Sequence, residues 1–202
     1  MLFRSPILTA LGVGGLAVAL ALQPTLSNLF AGLQIIASGK INHGDFVKLS
    51  TGEDGYIDDI TWRSTTIRGE ADHTVIVPNS KLADMIVTNY YLPGRELSFS
   101  VEVAISMEND LEFVEKVSKE IISETQKQTE GAVKDFEPVI RYFSVGDNRI
   151  NLRAILRVME YSYKFPVRHE FIKKLQRRFQ QEGIKMALPV QAVYLKKDDA
   201  AE

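Results

Sequence analysis

From Ser5 to Gly39 the sequence carries no charged side chain, although charged residues make up 25% of the 202-residue chain. A run of that kind has few places to go: a buried core, a membrane, or removal as a leader. Ile7 to Leu22 has Thr9 as its only conventional polar side chain and would make about 24 Å of helix at 1.5 Å per residue. A hydrocarbon core is about 30 Å thick, so this run alone is slightly short for a perpendicular span. Three readings compete. The first is a secretory signal peptide, with Arg4 as its basic start and Ala19-Leu20-Ala21 as its cleavage motif. The second is a core helix. The third is a membrane helix packed against protein.

Residue size favours the third. Gly12, Gly14, Gly15, Ala17, Ala19 and Ala21 alternate with Leu11, Val13, Leu16, Val18, Leu20 and Leu22. Glycine is costly in an isolated helix, but small residues let helix backbones approach closely in a membrane. Leu16 and Leu20 are four apart and stack on one face. Pro24 lacks an N–H and clashes with the preceding turn, which predicts a break or kink. Beyond it Leu26, Leu29, Phe30, Leu33, Ile36 and Ala37 recur at helical spacing, and Gly39-Lys40 ends the run. The expectation is a broken helix over residues 1–40, with an apolar half, a proline hinge and an interfacial half.

The remainder is a different material. Residues 41–95 carry five basic and eight acidic groups, and short runs rich in Thr, Ile, Val and Tyr alternate with turn signals. This predicts a small β-barrel or sandwich ending at Pro93-Gly94. From Glu96 the pattern becomes strand, helix, strand pair, helix, strand: Phe99–Ile105, a helix capped by Asn109 with Glu112, Val139–Val145, Ile150–Met159, a helix starting at Pro166, and Val190–Leu195. That β-α-β-β-α-β order is ferredoxin-like. Residues 196–202 read as a mobile tail.

Composition excludes several chemistries. There is no cysteine, so disulfides, thiolate metal sites and cysteine nucleophiles are out. His43, His73 and His169 have no partner at zinc-ligand spacing. Asp58-Asp59 should point to opposite strand faces, and Ser64-Thr65-Thr66 reads as strand surface without a base. Lys173, Lys174, Arg177 and Arg178 form a basic helical face, but net charge is −2 and nucleic-acid binding is not expected. No metal, no cofactor and no enzyme activity are expected.

Two sets of residues resemble a known family. Gly15 to Gln23 followed by Leu26-Ser27-Asn28-Leu29-Phe30-Ala31-Gly32 resembles the pore-lining helix of the small-conductance mechanosensitive channels. Gly44-Asp45-Phe46-Val47, Gly55-Tyr56-Ile57-Asp58-Asp59-Ile60, Arg63 to Arg68 and Val77-Pro78-Asn79-Ser80 follow that family's β-domain in order. The resemblance implies an α+β membrane protein: a kinked pore-lining transmembrane helix (1–40), an Sm-like β-barrel domain (41–94) and a ferredoxin-like α/β vestibule domain (95–195). It implies a homo-oligomer, a heptamer, in the inner (plasma) membrane, multi-pass in the complete family protein, with residues 41–202 cytoplasmic. Its partners are membrane lipid and permeating ions and small osmolytes, and no nucleic acid.

By position the resemblance makes Leu16 and Leu20 the pore gate, and Gly12, Gly15, Ala17 and Ala19 the helix-packing seam. Pro24, standing where many relatives have glycine, and Gly32 are its hinge points. Leu22 and Leu26 fall where the pore helix meets the family's two preceding membrane helices. Those helices do not precede Met1 here, so a fragment, a truncated reading frame or a pore-only variant is expected, and autonomous gating is not. The alternative is an exported soluble β/α binding module that has lost residues 1–21.

Overall fold

The computed structural model describes residues 4–146 and 148–187. The chain divides into two compact units, Met1–Arg95 and Glu96–Glu202.

The first unit begins with α1 (Arg4–Ser38), which runs without interruption through Pro24. The expected break is therefore absent. Proline removes a single N–H, and that loss does not end a helix whose neighbouring turns remain hydrogen-bonded. Five strands follow: β1 (Phe46–Leu49), β2 (Asp54–Ile60), β3 (Ser64–Arg68), β4 (Thr74–Pro78) and β5 (Val87–Asn89), with α2 (Asn79–Asp84) between the last two. They form one antiparallel sheet in the order β4-β3-β2-β1-β5. Among the described residues no bridge joins β4 to β5, and β5 contributes only three residues. The sheet is thus not a closed barrel within the described chain.

Its core is Val47, Leu49, Ile57, Ile67, Val77 and Leu82, joined by Ile35 from α1. Gly55 is needed where β2 crosses β3, because a Cβ there would stand 2.4 Å from the Arg68 carbonyl oxygen. A bulge between Ile57 and Asp59 shifts the register of β2 on β3. It leaves both Asp58 and Asp59 exposed, where simple alternation predicts opposite faces.

The second unit contains β6 (Leu97–Ser106), α3 (Leu111–Gln128), β7 (Val139–Gly146), β8 (Arg149–Val158), a 3-10 turn (Tyr161–Tyr163) and α4 (Lys164–Gln181). The sheet order is β6-β8-β7, antiparallel throughout. Alternate residues of β8 and the stripe Val167, Phe171, Leu175 and Phe179 of α4 share one core with Val114, Val117, Ile121 and Ile122 of α3. The cap of α3 is Asp110, not Asn109: its Oδ1 accepts from the Glu112 N–H at 3.0 Å. Asn109 is diverted to the Lys185 backbone, donating at 2.8 Å and accepting at 2.9 Å. Pro166 is the third residue of α4 rather than the first, a position that still needs no intrahelical N–H donor.

Beyond α4 the chain returns beside β6, where Ile105 and Met186 form an antiparallel bridge. The expected strand Val190–Leu195 and the tail 196–202 lie outside the described residues. The basic face of α4 is matched by carboxylates. Lys174 pairs with Glu124 of α3 at 2.8 Å, Arg178 with Glu120 at 3.1 Å, and Lys173 with Glu170 at 3.0 Å.

Candidate functional site

Every residue of α1 from Thr9 to Ser27 is exposed on the chain taken alone. Thr9–Ser38 is long and apolar enough to cross a membrane. Leu16 and Leu20 are 62% and 60% exposed, and an added Cβ on Gly12, Gly14 or Gly15 would meet nothing within 4 Å. At 100° per residue, Gly15 and Ala19 flank the Leu16–Leu20 ridge on one side, and Ala17 and Ala21 flank it on the other. Both flanks are therefore low and the ridge between them is high. So much exposed apolar surface on one element calls for lipid or further copies of the helix.

The lower part of α1 is different, because it is bound to the sheet. Ala31, Gly32 and Ile35 are buried, while Phe30, Leu33 and Ile36 stay exposed. The face turned toward the sheet thus runs Asn28, Ala31, Gly32, Ile35. It is not the larger apolar stripe that periodicity singles out.

Beneath this face sits Asn79, fully buried at the start of α2. Its Oδ1 accepts from the Thr65 hydroxyl at 2.9 Å, and its Nδ2 donates to the Thr61 carbonyl at 2.8 Å. A longer contact of 3.5 Å reaches the Asn28 carbonyl. The Asn28 side chain closes the knot. Its Oδ1 accepts from the Ser80 N–H at 3.0 Å, and its Nδ2 donates to the Pro24 carbonyl at 2.8 Å. Gly32 lies over Asn79 so closely that a Cβ would stand 2.5 Å from Nδ2. Burying this much polarity is tolerated because its partners are present.

Thr65 and Asn79 escape a sequence reading. Thr65 sits in a run that reads as strand surface, yet it is fully buried. The available signal is weak: Asn28 is one of several polar side chains in an otherwise apolar helix. Among the described residues no group of three or more His, Asp or Glu could hold a metal ion.

Residues 24–92 match the family model described as the mechanosensitive ion channel β-domain. The chain is 34% identical over 196 residues to the small-conductance mechanosensitive channel MscMJ of Methanocaldococcus jannaschii, an alignment covering 96% of this chain and 54% of that one. The large-conductance channel MscMJLR of the same organism is also 34% identical, over 200 residues, with the same coverage. The chain belongs to the small-conductance mechanosensitive channel (MscS) family. It spans about half the length of the curated relatives it matches. In fold, this MscS-family chain resembles the closed-state crystal structure of Helicobacter pylori MscS, with a TM-score of 0.84 at 22% identity, covering 98% of this chain and 76% of that one. Arabidopsis thaliana MSL1 gives a TM-score of 0.71 at 19% identity, covering 93% and 65%.

The family is one of membrane ion channels rather than enzymes. The exported-module alternative is not favoured. An alignment over 96% of the chain must extend into the apolar helix that a signal peptidase would remove.

Proposed function

We infer that this chain is a pore-lining subunit of a channel opened by membrane tension, which releases ions and small osmolytes on hypo-osmotic shock. The observation that carries this reading is α1 itself, bare of its own chain above Asn28 and fastened to the sheet below it. In a ring of identical copies, the Gly15–Ala19 flank of one helix meets the Ala17–Ala21 flank of the next. Gly12 continues the low seam. Small-against-small packing brings the backbones close and turns the Leu16–Leu20 ridge toward the axis. Two stacked leucine rings then close the pore by excluding water, with no charged plug.

The inferred assembly is a homoheptamer in the inner (plasma) membrane with residues 41–202 on the cytoplasmic side. Residues 1–40 form the pore helix and 41–94 an Sm-like β-domain. Residues 95–195 form a ferredoxin-like vestibule domain, for which the β6-β8-β7 order and the return of Met186 beside Ile105 are the supporting features. Leu22 and Leu26, both exposed, are the contacts to neighbouring tension-sensing helices. Bending in α1 concentrates at Pro24. A bend at Gly32 would first have to lift the helix off Asn79.

The test is survival. A channel containing this sequence, expressed in cells lacking their own tension-gated channels, should protect them from hypo-osmotic downshock. Lysis despite assembled protein in the membrane would overturn the reading.

A further inference from the structure

Beside α1 the turn between β2 and β3 presents Trp62 and Arg63, and together with Pro24, Thr25 and Asn28 they line a half-open recess of about 180 Å³. Trp62 is 57% exposed although it is the only tryptophan in the chain. Arg63 is also exposed, and among the described residues no carboxylate forms an ion pair with its guanidinium. The backbone of this turn serves the fold, with the Arg63 carbonyl accepting from the Asn79 N–H at 3.0 Å, while its indole and guanidinium stay exposed beside the niche.

The height of the recess gives these side chains a role. Arg4 to Pro24 spans twenty residues, about 30 Å of helix, which is the thickness of a hydrocarbon core. If Arg4 marks one boundary of the bilayer, Pro24 marks the other, and the recess lies at that level. Tryptophan favours this interface, and arginine matches phosphate geometry there. A larger recess of about 390 Å³ at the foot of α1, lined by Gln34, Ser38, Lys40 and Leu82 among others, begins about 15 Å beyond Pro24 along the helix, past the headgroup layer.

We propose that Trp62, Arg63 and Thr25 form a docking niche for the phosphodiester of a membrane lipid, which seats the β-domain against the bilayer at the exit of α1. Arg63 binds the phosphate oxygens, the Thr25 hydroxyl donates a further hydrogen bond, and the indole lies among the headgroups. The Asn28 side chain is already committed to Ser80 and Pro24, so it shapes the niche without binding the ligand. This assignment rests on α1 spanning the membrane, but not on which residues gate a pore.

Because Trp62 has no competing fluorophore of its kind, its emission reads the niche directly. The full chain is reconstituted into vesicles of phosphatidylcholine with or without phosphatidylglycerol, including lipids quencher-labelled at the headgroup. The niche predicts a blue-shifted Trp62 emission and efficient headgroup quenching. It predicts stronger quenching in the anionic vesicles, about a fivefold preference that R63Q abolishes, the effect of one cation at an anionic surface. R63K should retain most of that preference. Emission of a fully hydrated indole, or a blue shift without headgroup quenching, would overturn the proposal by placing Trp62 in water or against protein. An equal response of detergent-solubilised protein to inorganic phosphate would assign the niche to the free anion and overturn the lipid. Downshock protection that persists alongside any of these results would leave the channel reading standing.

Discussion

The Asn28 side chain in α1 accepts a hydrogen bond of 3.0 Å from the Ser80 N–H, across fifty-two residues of sequence. That bond, with buried Asn79 beside it, ties the apolar helix to the sheet unit. N28A removes the acceptor and strands a partly buried N–H, a loss of about 1–2 kcal/mol. N79A empties a buried site with three polar partners and should lose about 2–3 kcal/mol. Denaturant unfolding of the detergent-solubilised protein measures both. Equal and negligible effects would remove the knot from the account.

Gly32 and Gly15 should respond in opposite ways to alanine. Each replacement gains about 1 kcal/mol of intrinsic helix stability. At Gly32 the new methyl meets Asn79 Nδ2, and overpacking of about 1–3 kcal/mol outweighs the gain. At Gly15 nothing lies within 4 Å on the single chain, so any loss must come from neighbouring copies. G32A is expected to lower the unfolding midpoint of the subunit. G15A is expected to raise that midpoint slightly and weaken assembly, as read by native mass spectrometry.

These two glycines also show how far the sequence could be read. The apolar helix, the short strands and the Val167–Phe179 stripe of α4 were legible because each is a periodic pattern in one continuous segment. Asn79 with Thr65 and Asn28 was not, because three separate segments supply the partners that make burial tolerable. Local rules also competed at close range. Asn109 and Asp110 can both cap a helix, and the return of Lys185 beside β6 claims Asn109. Pro24 satisfies every rule for a breaker, yet α1 continues as helix on both sides of it. The functional roles of Leu16 and Leu20 rest on resemblance and on their exposed ridge, since a pore needs copies that one chain does not contain.

The Glu108–Lys185 pair pins the returning segment and gives the second unit a pH signature. The Lys185 ammonium, 2.6 Å away, holds the Glu108 carboxyl below its ordinary range, and Glu108 in turn raises Lys185. The carboxylate's contribution is complete above its unfolded value of about 4.3 and is lost as pH falls through the lowered value. The ammonium's contribution is complete below about 10.4 and is lost as pH rises through the raised value. NMR shifts of the Ala187 amide should therefore stay flat through neutral pH and move at both extremes. E108Q should abolish the acid limb while the Asn109 hydrogen bonds keep the segment in place.

The most direct test of the account is the current through membrane patches that hold a channel containing this sequence, recorded against applied suction. The unaltered channel should be closed at rest and open with tension. L20S places a hydroxyl in the apolar constriction, and should conduct at rest or at a much lower threshold, because a wetted ring no longer excludes water. An assembled L20S channel with the unaltered threshold would contradict the gate at Leu16 and Leu20.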